Sequence, residues 1–167
     1  MSQTSPATVR RATAGDAEAI ARIYNEGIRG RGATFETRER TRDDIAGWFD
    51  DTRFPILVAE QHDNVVGWAA ASSYRARECY AGIAEYSIYV AASHHGQGIG
   101  NVLMPPFLDA LAQAGFWKVL SRLFPENAAS RALCARHGFR EVGIYRRHAR
   151  LDGVWRDTLI VERLLGP

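Results

Sequence analysis

The spacing of apolar residues changes repeatedly along the 167-residue chain, and each change predicts a new element. Alternation in ATVRRAT predicts a short strand. Thr13 followed by Asp16 has the pattern of a capping box and opens a helix with Ile20, Ile23 and Tyr24 on one face. RGRGAT breaks that helix and leaves a basic loop before FET. Thr41 with Asp44 repeats the cap and starts a short helix through Trp48 and Phe49. FPILVAE and VVGWAAASSY flank the polar turn QHDN as a hairpin, and AGIAEYSIYV adds a third strand to them. IGNVLMPPFLDALAQAGF returns to helical spacing with a stop at Gly115. WKVLSRLF is again a strand, NAASRALCARHGF a helix ending at Gly138, and REVGIYRRHARLDGVWRDTLIVERL a hairpin turning at Asp152-Gly153.

The predicted order is βααβββαβαββ, read as one domain over residues 1–167. An early meander followed by alternating elements fits a mixed α/β sheet better than a fully parallel one. Pro105-Pro106 is the awkward point, because proline inside a helix costs about 3 kcal/mol or more. Either that helix kinks there or it is shorter than its spacing suggests.

Composition narrows the function classes. An apolar share of 46% and a charged share of 24% describe an ordinary globular protein, and a net charge of +2 gives no argument for nucleic acid. No stretch reaches the roughly 18 to 20 apolar residues that a membrane span needs. The polar start MSQTSPATVRR lacks the apolar core of a signal peptide. Cys79 and Cys134 lie far apart and suggest neither a disulfide framework nor a metal site, so a cytoplasmic setting is expected. The basic run YRRHAR, residues 145–150, would alternate faces on a strand, which argues against a nucleic-acid stripe.

The segment YVAASHHGQGIGNVL carries the most chemistry. Its GxGxG spacing fails the dinucleotide fingerprint, and no GK followed by Ser or Thr makes a Walker loop. Two readings remain: a flexible strand-to-helix turn, or a cradle whose glycines let backbone N–H groups approach a pyrophosphate.

The surroundings favour the cradle. EYSIYVAASHHGQGIG and FPENAASRALCARHGF resemble the acetyl-CoA-binding core of the GNAT superfamily of N-acetyltransferases. With IARIYNEGI, the resemblance covers nearly the whole chain. Within it, YNEGI, ATFETR, YRARECYAGIAEYSIYV, FPENAASRAL and GVWRDTLIVERL are similar to the phosphinothricin and methionine sulfoximine acetyltransferase group, and most to arsinothricin N-acetyltransferases. The resemblance implies a mixed, mostly antiparallel sheet flanked by helices, acetyl-CoA as co-substrate, a small amine or amino-acid substrate, and a homodimer. It assigns the cofactor to Ile88, Tyr89, Val90, His95, Gly96, Gln97, Gly98, Ile99, Gly100, Asn127 and Ser130. His95 stands where the family usually has Arg or Gln. A neutral imidazole can donate one hydrogen bond to a phosphate but lacks arginine's permanent charge.

Amide formation from an amine and a thioester needs a base for the ammonium and polarisation of the thioester oxygen. No nucleophilic triad can be inferred, so direct attack is expected. Glu85 interrupts an otherwise apolar strand, and by resemblance it is the residue that accepts the amine proton; the alternative is a solvent-facing edge glutamate. Arg75 and Arg77, two apart on an extended segment, project to one side and suit an anion. By resemblance their region and Phe35 line the substrate site. Asn127 and Ser130 are also plausible helix caps. Trp155 and Arg156 are expected to border either the site or a dimer contact. By the resemblance, Cys134 occupies the place where many GNAT enzymes carry a tyrosine acid and the phosphinothricin group often has His, which leaves the acid for the departing thiolate open. The rival functions are acetylation of a protein N-terminus and non-catalytic binding of acyl-CoA.

Overall fold

A computed structural model describes residues 5–166. The chain forms β1 (Thr8–Arg11), α1 (Ala17–Gly30), α2 (Arg42–Ala46), β2 (Ile56–Gln61), β3 (Asn64–Ser73), β4 (Ile83–Val90), α3 (Ile99–Gln113), β5 (Lys118–Leu123), α4 (Ala128–Arg136), β6 (Arg140–Leu151) and β7 (Val154–Leu164). The order is the predicted one. Short 3-10 turns at Ala14–Asp16, Gly47–Phe49, Glu78–Tyr80 and Ala92–His94 add detail that the spacing did not show.

Local chemistry explains the boundaries. Thr13 and Asp16 form a capping box, as do Thr41 and Asp44. The β2–β3 turn places His62 and Asp63 at φ 51° and 60°, and the β6–β7 turn places Asp152 and Gly153 at 48° and 81°. Both are the positive-φ pairs that a two-residue hairpin demands. Gly115 and Gly138, at φ +88° and +77°, end α3 and α4 as predicted.

Pro105 and Pro106 both lie inside α3, so the helix is as long as its spacing suggested. The missing donors leave the carbonyls of Asn101 and Val102 without their intrahelical bonds. Val102 and Pro105 face solvent, where water can satisfy such groups.

Seven strands form one sheet in the order β1-β2-β3-β4-β5-β7-β6. Only β4 and β5 pair in parallel; every other neighbour is antiparallel. One core packs α3 on the sheet through Leu103, Met104, Phe107 and Leu111. The other packs α1 on the opposite face, around Ile20, Ile23 and Trp68. Gly27 makes the second contact close: a Cβ there would stand 2.5 Å from the Tyr89 ring. In β6 the expected alternation of YRRHAR fails. The ladder slips between Tyr145 and Ala149, Arg147 sits at φ 47°, and Tyr145 through His148 are all exposed.

Candidate active site

β4 and β5 pair only at Ile83–Lys118, Ala84–Val119 and Glu85–Leu120. Beyond that point the strands part. The Ser121 hydroxyl donates to the Tyr86 carbonyl at 2.9 Å, which places that carbonyl on the β5 side. Ala91 N–H bonds Val66 on the β3 side. Alternation therefore turns the backbone groups of Ile88 and Val90 toward the opening, where β5 no longer pairs with them. An extended ligand with amide groups can continue the ladder along this edge.

The opening leads into a cavity of about 560 Å³ between α1, α4 and the start of α3. Ile88, Tyr89, Val90, His95, Gly96, Gly98, Ile99, Gly100, Asn127 and Ser130 line it. Gln97 is outside the lining, and its side-chain amide donates to the Ser93 carbonyl at 3.2 Å. Gly96 and Gly98 have φ +74° and +79°. That is the left-handed region in which successive N–H groups form an anion-binding concavity. The 15-residue α3 begins at its edge, so the helix dipole adds positive potential there.

His95 donates its Nε2–H to the Val90 carbonyl at 2.9 Å, which engages the single N–H of the neutral ring. His94 meets Ser93 Oγ through Nδ1 at 2.8 Å and also lines the cavity. Asn127 caps α4 by accepting from Ser130 N–H at 3.1 Å, and its amide reaches the Gly32 carbonyl at 3.5 Å. The loop after α1 is held again where Arg31 Nε meets Asp152 at 2.9 Å. The cavity is thus roofed by a loop tied to α4 and to the last hairpin.

Residues that the pattern did not single out complete the lining. Glu26 accepts the Ala92 N–H at 2.7 Å, fixing the turn before the glycines. Asn101 accepts from His137 Nε2 at 3.0 Å; burial, then Arg163 and Arg136, hold that imidazole below its usual range. Arg136 brings a cation to the cavity from the last turn of α4. Asn101 directly follows the glycine turn, whereas no local signal marks Glu26 or Arg136, which chain crossings bring to the cavity.

Glu85, the last residue of β4 paired to β5, is half-buried where the two strands begin to part, outside the cavity lining itself. Its side chain points to the face of α1, opposite Tyr86. Arg122 Nη2 donates to Glu85 Oε1 at 2.6 Å. On the same side Phe35 meets Phe124 edge-on at 4.9 Å, and Arg156 lies 4.0 Å over the Phe124 ring. Arg75 and Arg77 are exposed beyond β3 and lie outside the cavity lining. The Arg75 guanidinium stands 5.0 Å from the Tyr74 ring centre. Cys134 is buried with its sulfur 3.1 Å from the Tyr86 hydroxyl, away from the cavity lining. Burial pushes both groups up, so both stay protonated at neutral pH. Among the described residues no cluster of His, Cys, Asp or Glu suits a metal ion, and no helix is long and apolar enough to cross a membrane.

The family model for the Acetyltransferase (GNAT) family matches residues 18–139. The chain belongs to the GNAT acetyltransferase family. It is 33% identical to a phosphinothricin N-acetyltransferase of Streptomyces coelicolor, over 99% of this chain and 100% of that one. A GNAT superfamily phosphinothricin acetyltransferase from Sinorhizobium meliloti, solved in complex with acetyl-CoA, superposes with a TM-score of 0.89. Identity there is 30%, with 96% of this chain and 89% of that one covered. A ribosomal-protein-alanine N-acetyltransferase from Brucella melitensis gives a TM-score of 0.90 at 29% identity, covering 95% and 99%. The protein is therefore an acetyl-CoA-dependent N-acetyltransferase, and its mixed, mostly antiparallel sheet is the GNAT fold.

Proposed function

We propose that the protein acetylates the α-amino group of a small glutamate-like amino acid of the phosphinothricin, methionine sulfoximine or arsinothricin type. The observation that carries this is the position of Glu85, a carboxylate where β4 and β5 part, on the strand that leads into the positive-φ glycine turn. The pantetheine arm runs along the edge offered by Ile88 and the Val90 N–H, with the coenzyme's pyrophosphate on the backbone of Gly96 to Gly100. Glu85 takes a proton from the substrate ammonium, directly or through water. The freed amine attacks the thioester carbon, the C–N bond forms, and the tetrahedral centre collapses as the C–S bond breaks. The nitrogen sheds its second proton, and the departing thiolate takes one up. A coenzyme A thiolate leaves tolerably without a dedicated acid, which suits the sealed Tyr86–Cys134 pair.

Phe35, Arg75 and Arg77 serve the substrate in this reading. Acetylation removes the ammonium by which a toxic analogue imitates glutamate, so the biological role is resistance. Thiol release from acetyl-CoA with a panel of amines tests the reading, and a protein that binds acetyl-CoA but turns over no amine would sink it.

The likeness to the Brucella enzyme supports a second reading, acetylation of a protein N-terminus. Turnover of a peptide but not of free amino acids would decide for it. A cytoplasmic setting agrees with two free cysteines among the described residues, one of them exposed. Homodimerisation is supported by the edge strand β6, where Val142, Ile144 and Tyr145 expose apolar surface. Light scattering checks it: a dimer mass is expected, with Ile144→Glu shifting it to the monomer.

A further inference from the structure

The ion pair of Glu85 and Arg122, where β4 and β5 part, is only half used. Arg122 lies two residues beyond Leu120, the β5 partner of Glu85, so both side chains share one face of the sheet. One bond joins them, from Nη2 to Oε1 at 2.6 Å. Among the described residues, Glu85 Oε2 has no hydrogen-bond partner, nor do Nη1 and Nε of Arg122. A guanidinium has five N–H donors in a planar fork suited to two carboxylate oxygens, and four of these remain open. The pair is also accessible, with side-chain exposures of 48% for Arg122 and 23% for Glu85. One open carboxylate oxygen and four open N–H donors thus stand side by side where β4 and β5 part.

We propose that Arg122 binds the α-carboxylate of the substrate while Glu85 receives its α-ammonium. This rests on the reading of the acceptor as an amino acid. In an α-amino acid the two charged groups share one carbon, so a receptor for the zwitterion needs its base and its fork adjacent. Glu85 and Arg122 meet that condition, whereas Arg75 and Arg77 follow β3 and remain for the acid group of the substrate side chain. Arg122 also makes the site selective. A peptide N-terminus or an amino amide carries a neutral carbonyl where the fork expects a carboxylate, and leaves the open N–H groups without a charged partner.

Free phosphinothricin, methionine sulfoximine and glutamate, each beside its own α-carboxamide, provide the test in wild type, Arg122→Ala and Arg122→Gln. Calorimetric binding of acetyl-CoA reports whether each variant is folded, and glutamine keeps a hydrogen bond to Glu85 without the charge. Wild type is expected to prefer the acid over the amide. Both variants should raise KM for the acid by about 10- to 100-fold, as loss of a charged hydrogen bond implies. They should leave KM for the amide within a few-fold, so that the preference collapses. Equal losses on acid and amide would reduce Arg122 to a partner of Glu85 and overturn the proposal, as would unchanged kinetics on both. Equal turnover of acid and amide by wild type overturns it while leaving amine acetylation intact. Turnover of peptides alone removes the amino-acid reading and the proposal together.

Discussion

The imidazole of His95 donates to the carbonyl of Val90 at 2.9 Å, closing the end of the open strand edge onto the glycine turn. The remaining ring nitrogen of the neutral form is an acceptor and gives nothing to a phosphate. The pyrophosphate then depends on backbone N–H groups and the start of α3. His95→Arg should tighten acetyl-CoA binding by adding a permanent cation, with a gain that shrinks as salt rises. His95→Ala should weaken it only few-fold, since one neutral hydrogen bond is worth about 0.5–1.5 kcal/mol. Titration calorimetry at two salt concentrations checks both, and identical affinity in all three proteins would mean that the backbone holds the phosphates alone.

The two thiols should behave oppositely. Cys79 is exposed, while Cys134 is buried against Tyr86 and its thiol is pushed up chiefly by burial. A thiol reagent should titrate one cysteine in the native protein and two after denaturation. Cys134→Ala should lower Tm but keep kcat within a few-fold. A loss of a hundredfold would bring a cysteine acyl-enzyme or a cysteine acid back into consideration.

Much of the fold was legible because its signals are local. Both capping boxes, the Asp152-Gly153 turn and the Gly115 and Gly138 stops depend on neighbouring residues, and all formed as read. The bulge in β6 was not legible, because nothing near Arg147 announces a positive φ. The site divides in the same way. The glycine turn and Glu85 stand out along the chain. Glu26 and Arg136 reach the cavity from α1 and α4, and Arg122 reaches Glu85 from β5, contacts that only the tertiary fold creates. The bond from His95 to Val90 and the contact of Phe35 with Phe124 likewise depend on packing that no spacing encodes.

Acid should loosen the start of α1. The Asp16 carboxyl is held below its usual 3.8 first by hydrogen bonds from Arg10, at 2.8 and 2.9 Å; burial opposes, and the Thr13 N–H helps. A carboxylate depressed in the folded state contributes stability above its unfolded value and loses it as pH falls through the folded one. Asp16→Asn should therefore be less stable than wild type at pH 7, with the gap closing below about pH 4. Urea midpoints from pH 7 down to 3 measure it, and a constant gap would assign the effect to the cap alone.

The initial rate of thiol release from acetyl-CoA tests the central claim most directly. Wild type and Glu85→Gln would be compared on phosphinothricin, methionine sulfoximine, arsinothricin, glutamate and a peptide beginning with alanine. The expected result is turnover of at least one free amino acid well above the peptide. Glu85→Gln should lower kcat by about 10²- to 10⁴-fold, the range for a lost general base, with acetyl-CoA binding retained. Turnover of the peptide alone, or undiminished rates in Glu85→Gln across pH, would contradict the account.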